Sequence, residues 1–469
     1  MAVAAVRTTG IYCKPSCGAN PRPGNVQSFP SAAAAEAAGY RACLRCRPYR
    51  DPHVIGWDAP ELVCRAVRLV LTGALDDDSE NALAHGLGIS ARHLRRLFAA
   101  HVGVSPDGLA RSARAHFARR LLDDTDLPIT HIAFAAGFGS LRQFNRVCKE
   151  VFRASPTELR ARRRKHDRLV ADGGLPLRLS YSGVRDWASM LDDLAERAIP
   201  GVEAIEGFRY RRTIVVDGDP GVLEIGPGGV DHLVLTAHLP HWAGLIHVVA
   251  RARRIPNLDF PLDEALATLA NDAQLAPAIA ANRGLAPACA WDLFEAGVFA
   301  ILVSGGEIAS ARRMMAAMAR RLGLTVDGLA AWGLDRTFPS SSVVAAADLA
   351  DVGLDDVSAR AVAAFARAVA AGDLPLDGSL ALDELVRRIP RLQRTGDAVA
   401  QYIAYRSGES DAWPPMRLLA PDATAVDGAA DAAWSPFRSL AAAHLAARAR
   451  GGGAERLAPE ASLEGQRAA

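Results

Sequence analysis

The apolar period along this chain changes twice. Between residues 57 and 165 it is helical: Leu62, Val63, Ala66, Val67, Val70 and Leu71 form one stripe. Residues 81–90 then read as a short helix, a glycine turn at Gly86-Leu87-Gly88 and a Ser90 N-cap, because a serine oxygen accepts the free N–H groups of a following first turn. The next helix carries Leu94, Leu97 and Phe98 on one face and Arg92, Arg95 and Arg96 on the other. The pattern repeats. Ile129, Ile132, Ala133 and Ala136 precede Gly137-Phe138-Gly139-Ser140, and a second helix presents Arg142, Gln143, Asn145, Arg146 and Lys149. A long helix over 107–122 joins the two units, and residues 161–174 read as a linker. A period of two follows, with strands predicted at 177–181, 209–216, 222–225 and 233–236 and a helix around 186–197. From 256 to 450 the pattern is mostly helical again, and 451–469 reads as a disordered tail.

The 469 residues suffice for about three or four domains. Half are hydrophobic, and none of the apolar runs is an uninterrupted membrane span. No basic-then-apolar leader follows Met1, so a cytoplasmic protein is expected, with no membrane partner. The net charge of +2 hides an asymmetry. Residues 1–165 hold 25 Lys and Arg against 14 Asp and Glu, whereas the remainder holds 29 against 38. Double-stranded DNA is therefore expected to be gripped by the front of the molecule.

Four of the seven cysteines fall in the first tenth of the chain, as Cys13-Lys14-Pro15-Ser16-Cys17 and Cys43-Leu44-Arg45-Cys46. Two close pairs of thiolates can close a tetrahedral site on one Zn2+ ion. Two disulfides in a secreted domain are the alternative, set against the missing leader and the three scattered cysteines Cys64, Cys148 and Cys289. The cluster is surrounded by Arg7, Lys14, Arg22, Arg41, Arg45, Arg47 and Arg50. Such a coat suits a site that approaches phosphate.

Three resemblances follow from these residues. Thr8-Thr9-Gly10-Ile11-Tyr12-Cys13-Lys14-Pro15-Ser16-Cys17, Asn25-Val26 and Gly39-Tyr40-Arg41-Ala42-Cys43-Leu44-Arg45-Cys46-Arg47-Pro48 closely resemble the N-terminal domain of the Ada adaptive-response proteins. That family usually carries a further strand and helix before the Thr-Thr-Gly motif, little of which precedes Thr8. The resemblance implies a zinc site on Cys13, Cys17, Cys43 and Cys46. It also implies irreversible transfer of a methyl group from a DNA methylphosphotriester to Cys13, after which the protein activates transcription. The doubled helix-turn-helix, closed by Ala154-Ser155-Pro156-Thr157-Glu158-Leu159-Arg160, resembles an AraC-type DNA-binding domain. Ala198-Ile199-Pro200-Gly201-Val202-Glu203, Tyr210-Arg211-Arg212-Thr213, Ala290-Trp291-Asp292-Leu293-Phe294-Glu295, Asp411-Ala412-Trp413-Pro414 and Trp434-Ser435-Pro436-Phe437-Arg438 resemble AlkA-type 3-methyladenine DNA glycosylases.

The expected architecture is a multidomain, mostly α chain. It comprises a four-cysteine zinc α+β domain (1–54), an AraC-type double helix-turn-helix (57–165), an α+β sheet domain similar to the AlkA N-terminus (176–255) and a helical helix-hairpin-helix glycosylase-like domain (256–450). Arg45, Arg47, Arg92, Arg95, Arg96, Arg142, Gln143, Asn145 and Arg146 are the expected DNA contacts, on alkylated DNA and promoter operators. RNA polymerase is an expected partner, and a monomer the expected state. Trp291, Tyr402, Trp413 and Arg417 are the candidate glycosylase pocket. The rear departs from its family. In the hairpin, Gln393 and Arg394 replace a proline and a glycine, Ala398 stands for a tryptophan, and Arg417 falls where the catalytic aspartate belongs. A cation there opposes the positive charge that develops on the sugar, so excision is expected to be weak or absent. An active glycosylase with a regulatory front, using Asp422 or Asp411 as its acid, and a zinc-stabilised transcription factor without chemistry are the alternatives.

Overall fold

The computed structural model describes residues 2–19, 21–51, 59–76, 78–164, 167–169, 173–392, 396–420 and 432–450. The expected tail at 451–469, the substituted hairpin residues 393–395 and Asp422 lie outside them.

The chain opens on a four-stranded sheet of order β3-β1-β2-β4, made of β1 (Val3–Val6), β2 (Ile11–Cys13), β3 (Val26–Phe29) and β4 (Arg41–Ala42). Strand β1 supplies one strand ahead of the Thr-Thr-Gly motif, and its Val3 and Ala5 point inward. The alanine-rich α1 (Ala32–Ala37) starts at Ser31, whose Oγ accepts the Ala34 N–H at 3.0 Å. Strands β2 and β4 run parallel in the register Tyr12↔Ala42. The next residues are Cys13 and Cys43, so the two cysteine pairs leave the sheet side by side.

Among the described residues, seven helices follow: α2 (Glu61–Leu71), α3 (Glu80–Gly86), α4 (Ala91–His101), α5 (Pro106–Asp124), α6 (Ile129–Ala135), α7 (Leu141–Phe152) and α8 (Pro156–Ala161). Serine N-caps start α3, α4, α5, α7 and α8 at Ser79, Ser90, Ser105, Ser140 and Ser155. Gly88 and Gly137 turn the two helix-turn-helix units at φ of +72° and +77°, a conformation that costs glycine nothing. Between the units, α5 is buried along most of its length. It packs on α1, α2, α6, α7, α8 and the rear sheet at once, which is why it carries buried charged residues such as Arg119, Asp123 and Asp124.

The rear begins with β5 (Leu175–Ser180), α9 (Trp187–Arg197), β6 (Glu203–Glu206), β7 (Arg209–Val216), β8 (Asp219–Pro227) and β9 (His232–His238). The sheet is antiparallel, in the order β5-β9-β8-β7-β6. Strand β6 is not among the expected strands, because its short run of half-exposed residues has no alternation to read. The helical part contains α10 (Leu245–Arg254), α11 (Leu262–Leu269), α12 (Ala276–Ala281), α13 (Leu293–Ser304), α14 (Ile308–Leu322), α15 (Ser341–Ala346), α16 (Asp356–Ala370), α17 (Leu382–Leu392), α18 (Gly396–Ser407) and α19 (Arg438–Ala449). Its centre is α13, apolar on all sides and enclosed by α14, α16 and α18. Phe365 of α16 lies so close to Gly297 that a Cβ there would meet its ring at 2.2 Å.

Front and rear share one core. Buried apolar side chains run continuously from Val3 and Tyr12 through Phe117 and Leu121 to Leu177 and Leu235. Polar contacts close the same junction: Asp124 pairs with Arg50 at 2.8 Å and with Arg178 at 3.0 Å, and Arg65 donates to the Ser379 carbonyl at 2.9 Å.

Candidate metal centre and DNA-facing helices

The sulfur atoms of Cys13, Cys17, Cys43 and Cys46 all lie within 4.8 Å of one another. Tetrahedral zinc with thiolates at about 2.3 Å fits four sulfurs gathered this closely. The sheet provides the convergence, for the Cys43 N–H donates to the Tyr12 carbonyl at 3.0 Å. The Lys14 carbonyl accepts the Cys17 N–H at 3.1 Å and the Cys43 carbonyl accepts the Arg47 N–H at 2.9 Å, closing both cysteine turns. Without metal the thiols differ. Burial and the neighbouring Cys43 sulfur push Cys13 far above the ordinary thiol range, and burial takes Cys46 up to about 12. Burial would also raise Cys43, but the backbone N–H groups of Cys46 and Arg45 hold it below its usual value. This cluster therefore stores protons that a dication would displace. Cys13 is the buried member, 8% exposed, and the other three are half-buried.

The basic coat divides. Arg45 is exposed beside the cluster. Arg47 is not: it is 8% exposed and places Nη1 at 2.7 Å from both carboxylate oxygens of Asp167. This corrects the expectation for Arg47, whose guanidinium clasps the segment after α8 instead of facing DNA. Lys14 is likewise engaged with Asp51.

On α4, Leu94 and Phe98 are buried while Arg92, Arg95 and Arg96 are exposed. Arg95 pairs with Glu80 of the preceding helix at 2.5 Å, and Arg96 bonds His93 at 2.8 Å. On α7, Phe144 and Val147 are buried while Arg142, Asn145, Arg146 and Lys149 are exposed. Gln143 is half-buried and accepts the Gly139 N–H at 3.2 Å, so it braces the turn. Asn145 donates to the Leu141 carbonyl at 2.9 Å.

The glycosylase candidates are not brought together. Trp291 and Tyr402 line one cavity of about 40 Å³ with Arg197, Tyr210, Arg212 and Glu295. That is room for a few water molecules, at about 10–15 Å³ each. Trp413 packs instead on Trp434, with ring centroids 5.4 Å apart, and Arg417 is exposed outside the cavity. The pocket expectation is thus corrected at Trp413 and Arg417. Asp411 is bound to Arg438 by two bonds of 2.8 and 2.6 Å. Around Trp291, the guanidinium carbons of Arg251 and Arg212 sit 4.1 and 5.6 Å from the ring centre. Arg212 is fully enclosed, which opposes its charge, yet Glu295 at 2.9 Å holds it protonated. Sequence reasoning missed this buried network. Its one signal was a charged pair, Arg211-Arg212, in a strand that ends on the apolar run Ile214-Val215-Val216.

Known proteins share this arrangement. A family model of the metal binding domain of Ada matches residues 1–49, a helix-turn-helix domain matches 83–162 and the AlkA N-terminal domain matches 176–292. The chain is 33% identical to a probable bifunctional transcriptional activator/DNA repair enzyme AlkA of Mycobacterium tuberculosis, over 94% of this chain and 92% of that protein. It is 33% identical to the bifunctional transcriptional activator/DNA repair enzyme Ada of Escherichia coli, over 34% of this chain and 44% of that protein. DNA-3-methyladenine glycosylase 2 of the same organism is 29% identical over 57% of this chain and 95% of its own length.

Proposed function

Because this chain belongs to the family of bifunctional transcriptional activators and DNA repair enzymes of the Ada/AlkA kind, we propose that it repairs DNA methylphosphotriesters by transferring the methyl group irreversibly to Cys13. The observation that carries this reading is the gathering of four sulfurs at the ends of β2 and β4, with Cys13 the least hydrated of them. Bound zinc keeps the thiols ionised at neutral pH. The Cys13 Sγ lone pair attacks the methyl carbon. The S–C bond forms as the C–O bond breaks, and the electron pair leaves on the phosphate oxygen, which becomes an ordinary diester. No proton moves, and the thioether has no route back, so each molecule acts once. Four thiolates on a dication carry about −2, and one methylation leaves about −1. Repair thereby weakens repulsion between this site and DNA, the exposed arginines of α4 and α7 then hold an operator more tightly, and the bound protein recruits RNA polymerase. We read the active unit as a monomer.

The glycosylase-like rear is proposed to excise bases weakly or not at all. Arg417 takes the acid's place in the sequence but is exposed outside the cavity, so that position supplies no carboxylate to Trp291 and Tyr402. Two assays test the whole reading. Operator affinity of the zinc-loaded protein should rise after exposure to methylated DNA, and should not in Cys13→Ser. Release of 3-methyladenine from alkylated duplex should be at background. Unchanged affinity removes the switch, and robust release restores the glycosylase.

A further inference from the structure

A larger cavity, about 190 Å³, lies where the front and rear halves meet. Its walls come from the segment after β4, from α2, α5 and α10, from the loop after α10 and from the end of α18. Most of the lining is apolar, including Val67, Phe117, Ile246, Val249 and Phe260. Set into it are four guanidinium groups, Arg68, Arg120, Arg253 and Arg254, against two carboxylates, Asp51 and Asp259.

Both carboxylates are already engaged. Asp51 pairs with Lys14, and Asp259 pairs with Arg253 at 2.6 Å. Among the described residues Arg254 donates to a neutral acceptor, the Ser407 carbonyl at 3.0 Å. Arg68 is shared with an adjoining small cavity that also holds Glu409. Arg120 is the outlier. Among the described residues it has no ion pair or hydrogen bond. It rests over the Phe117 ring at 5.1 Å, and its Nε is buried without a partner. The side chain is half-buried, and burial together with Arg253 pushes its guanidinium down to about 10. It remains cationic at neutral pH all the same. Asp124 and Asp259 favour its charge from a distance without pairing with it, and a partly desolvated cation left without a direct partner is costly, so groups of this kind mark binding sites.

The geometry points to an anion site in this cavity: a small amphipathic organic anion places its carboxylate or phosphate on Arg120 and Arg254 and its apolar body against Phe117, Ile246 and Phe260. The volume is below the roughly 300–1,000 Å³ of sites for drug-sized ligands, so the occupant is small. A guanidinium fork matches the two oxygens of such a head group. The cavity wall includes His116, whose Nε2 bonds the Glu36 carboxylate at 2.6 Å, and Glu36 in turn accepts the hydroxyl of Tyr12 beside Cys13. An occupant therefore touches the rear helices and α5 together, and Glu36 joins α5 to the zinc-bearing sheet.

The test is calorimetric titration of the full zinc-loaded chain with benzoate, phenyl phosphate and the neutral benzamide. Benzoate or phenyl phosphate should bind at one site, the tighter of the two identifying the head group, and benzamide should not. Arg120→Met should weaken the anion at least about tenfold. It should keep or raise the melting temperature, because it removes a partly desolvated cation that has no ion pair among the described residues, and Arg120→Lys should restore most of the binding. Equal binding of benzamide, unchanged binding in Arg120→Met, or no binding of either anion would overturn the site.

Discussion

The hydroxyl of Tyr12, the residue before the methyl-acceptor candidate, lies 3.2 Å from Nε2 of His116 on α5, more than a hundred residues further along. Both converge on Glu36, whose Oε1 accepts the Tyr12 hydroxyl at 2.6 Å and meets the histidine nitrogen at 2.6 Å. Ser112 donates to the other oxygen at 2.7 Å. Burial, and then the Glu36 charge, push Tyr12 well above the ordinary phenol range, so it stays a donor. This carboxylate is where the zinc-bearing sheet is locked to the central helix of the DNA-binding part.

Glu36→Ala should therefore unfix three buried groups at once. A loss of about 2–4 kcal/mol is expected, since each orphaned buried polar group costs about 1–3 kcal/mol and the site relaxes in part. Tyr12→Phe removes one bond and should cost about 1 kcal/mol. Denaturant unfolding of the zinc-loaded protein measures both. A Glu36→Ala cost below that of Tyr12→Phe would show that the carboxylate is not the lock.

Acid should loosen the junction through Asp167 and the rear layers through Asp193. Burial would raise both carboxyls, but Arg47 holds Asp167 below its usual range, and Arg197, Arg450 and Arg406 hold Asp193 below its own. A depressed folded value means stability that is complete above the unfolded value of about 3.9 and lost as pH falls through the folded one. Melting temperature should fall steeply below about pH 4. Asp167→Asn should flatten that limb while lowering stability at pH 7 by about 3 kcal/mol, the usual cost of breaking a buried pair. An unchanged acid limb in Asp167→Asn would exclude this pair as a contributor.

Zinc uptake should release protons. Cys13 and Cys46 keep theirs in the bare cluster, with Cys46 up at about 12, so at least about two protons should leave per ion at pH 7. Affinity should then climb with pH. Calorimetry in buffers of different ionisation enthalpy counts the protons, and Cys43→Ala should abolish stoichiometric binding. Uptake without proton release would mean that the thiols are ionised beforehand.

Arg95 is held by Glu80 at 2.5 Å before any DNA arrives. An exposed pair is worth about 0–1 kcal/mol, so Glu80→Gln should free the arginine and tighten operator binding up to about fivefold. Arg95→Ala or Arg146→Ala should cost about 1–3 kcal/mol if a base is read, or lower the salt slope by about one if a phosphate is held. Titrations at several salt concentrations separate the two. Normal binding by both variants would remove α4 and α7 from the interface.

Elements with a clear period were legible in the sequence. The helix expected at 107–122 runs over Pro106–Asp124, and the strand expected at 209–216 is Arg209–Val216. Cys13 with Cys17 and Cys43 with Cys46 could be paired from spacing alone because each pair is local. Arg47 could not be placed: its partner Asp167 is 120 residues away, and charge in a basic coat says nothing about which members turn inward. Trp413 and Arg417 failed for a related reason. Their neighbours, Trp434 among them, are set by packing of the helical layer, and a motif match fixes position in the chain without fixing which side chains face one cavity.

The central claim is methyl transfer to Cys13. Intact zinc-loaded protein is incubated with DNA containing methylphosphotriesters, and its peptides are mapped by mass. One methyl group per molecule on the Cys13 peptide, absent from Cys13→Ser and not increasing with further substrate, is the predicted result. A methyl group on Cys17, Cys43 or Cys46 in its place, or none at all, would contradict it.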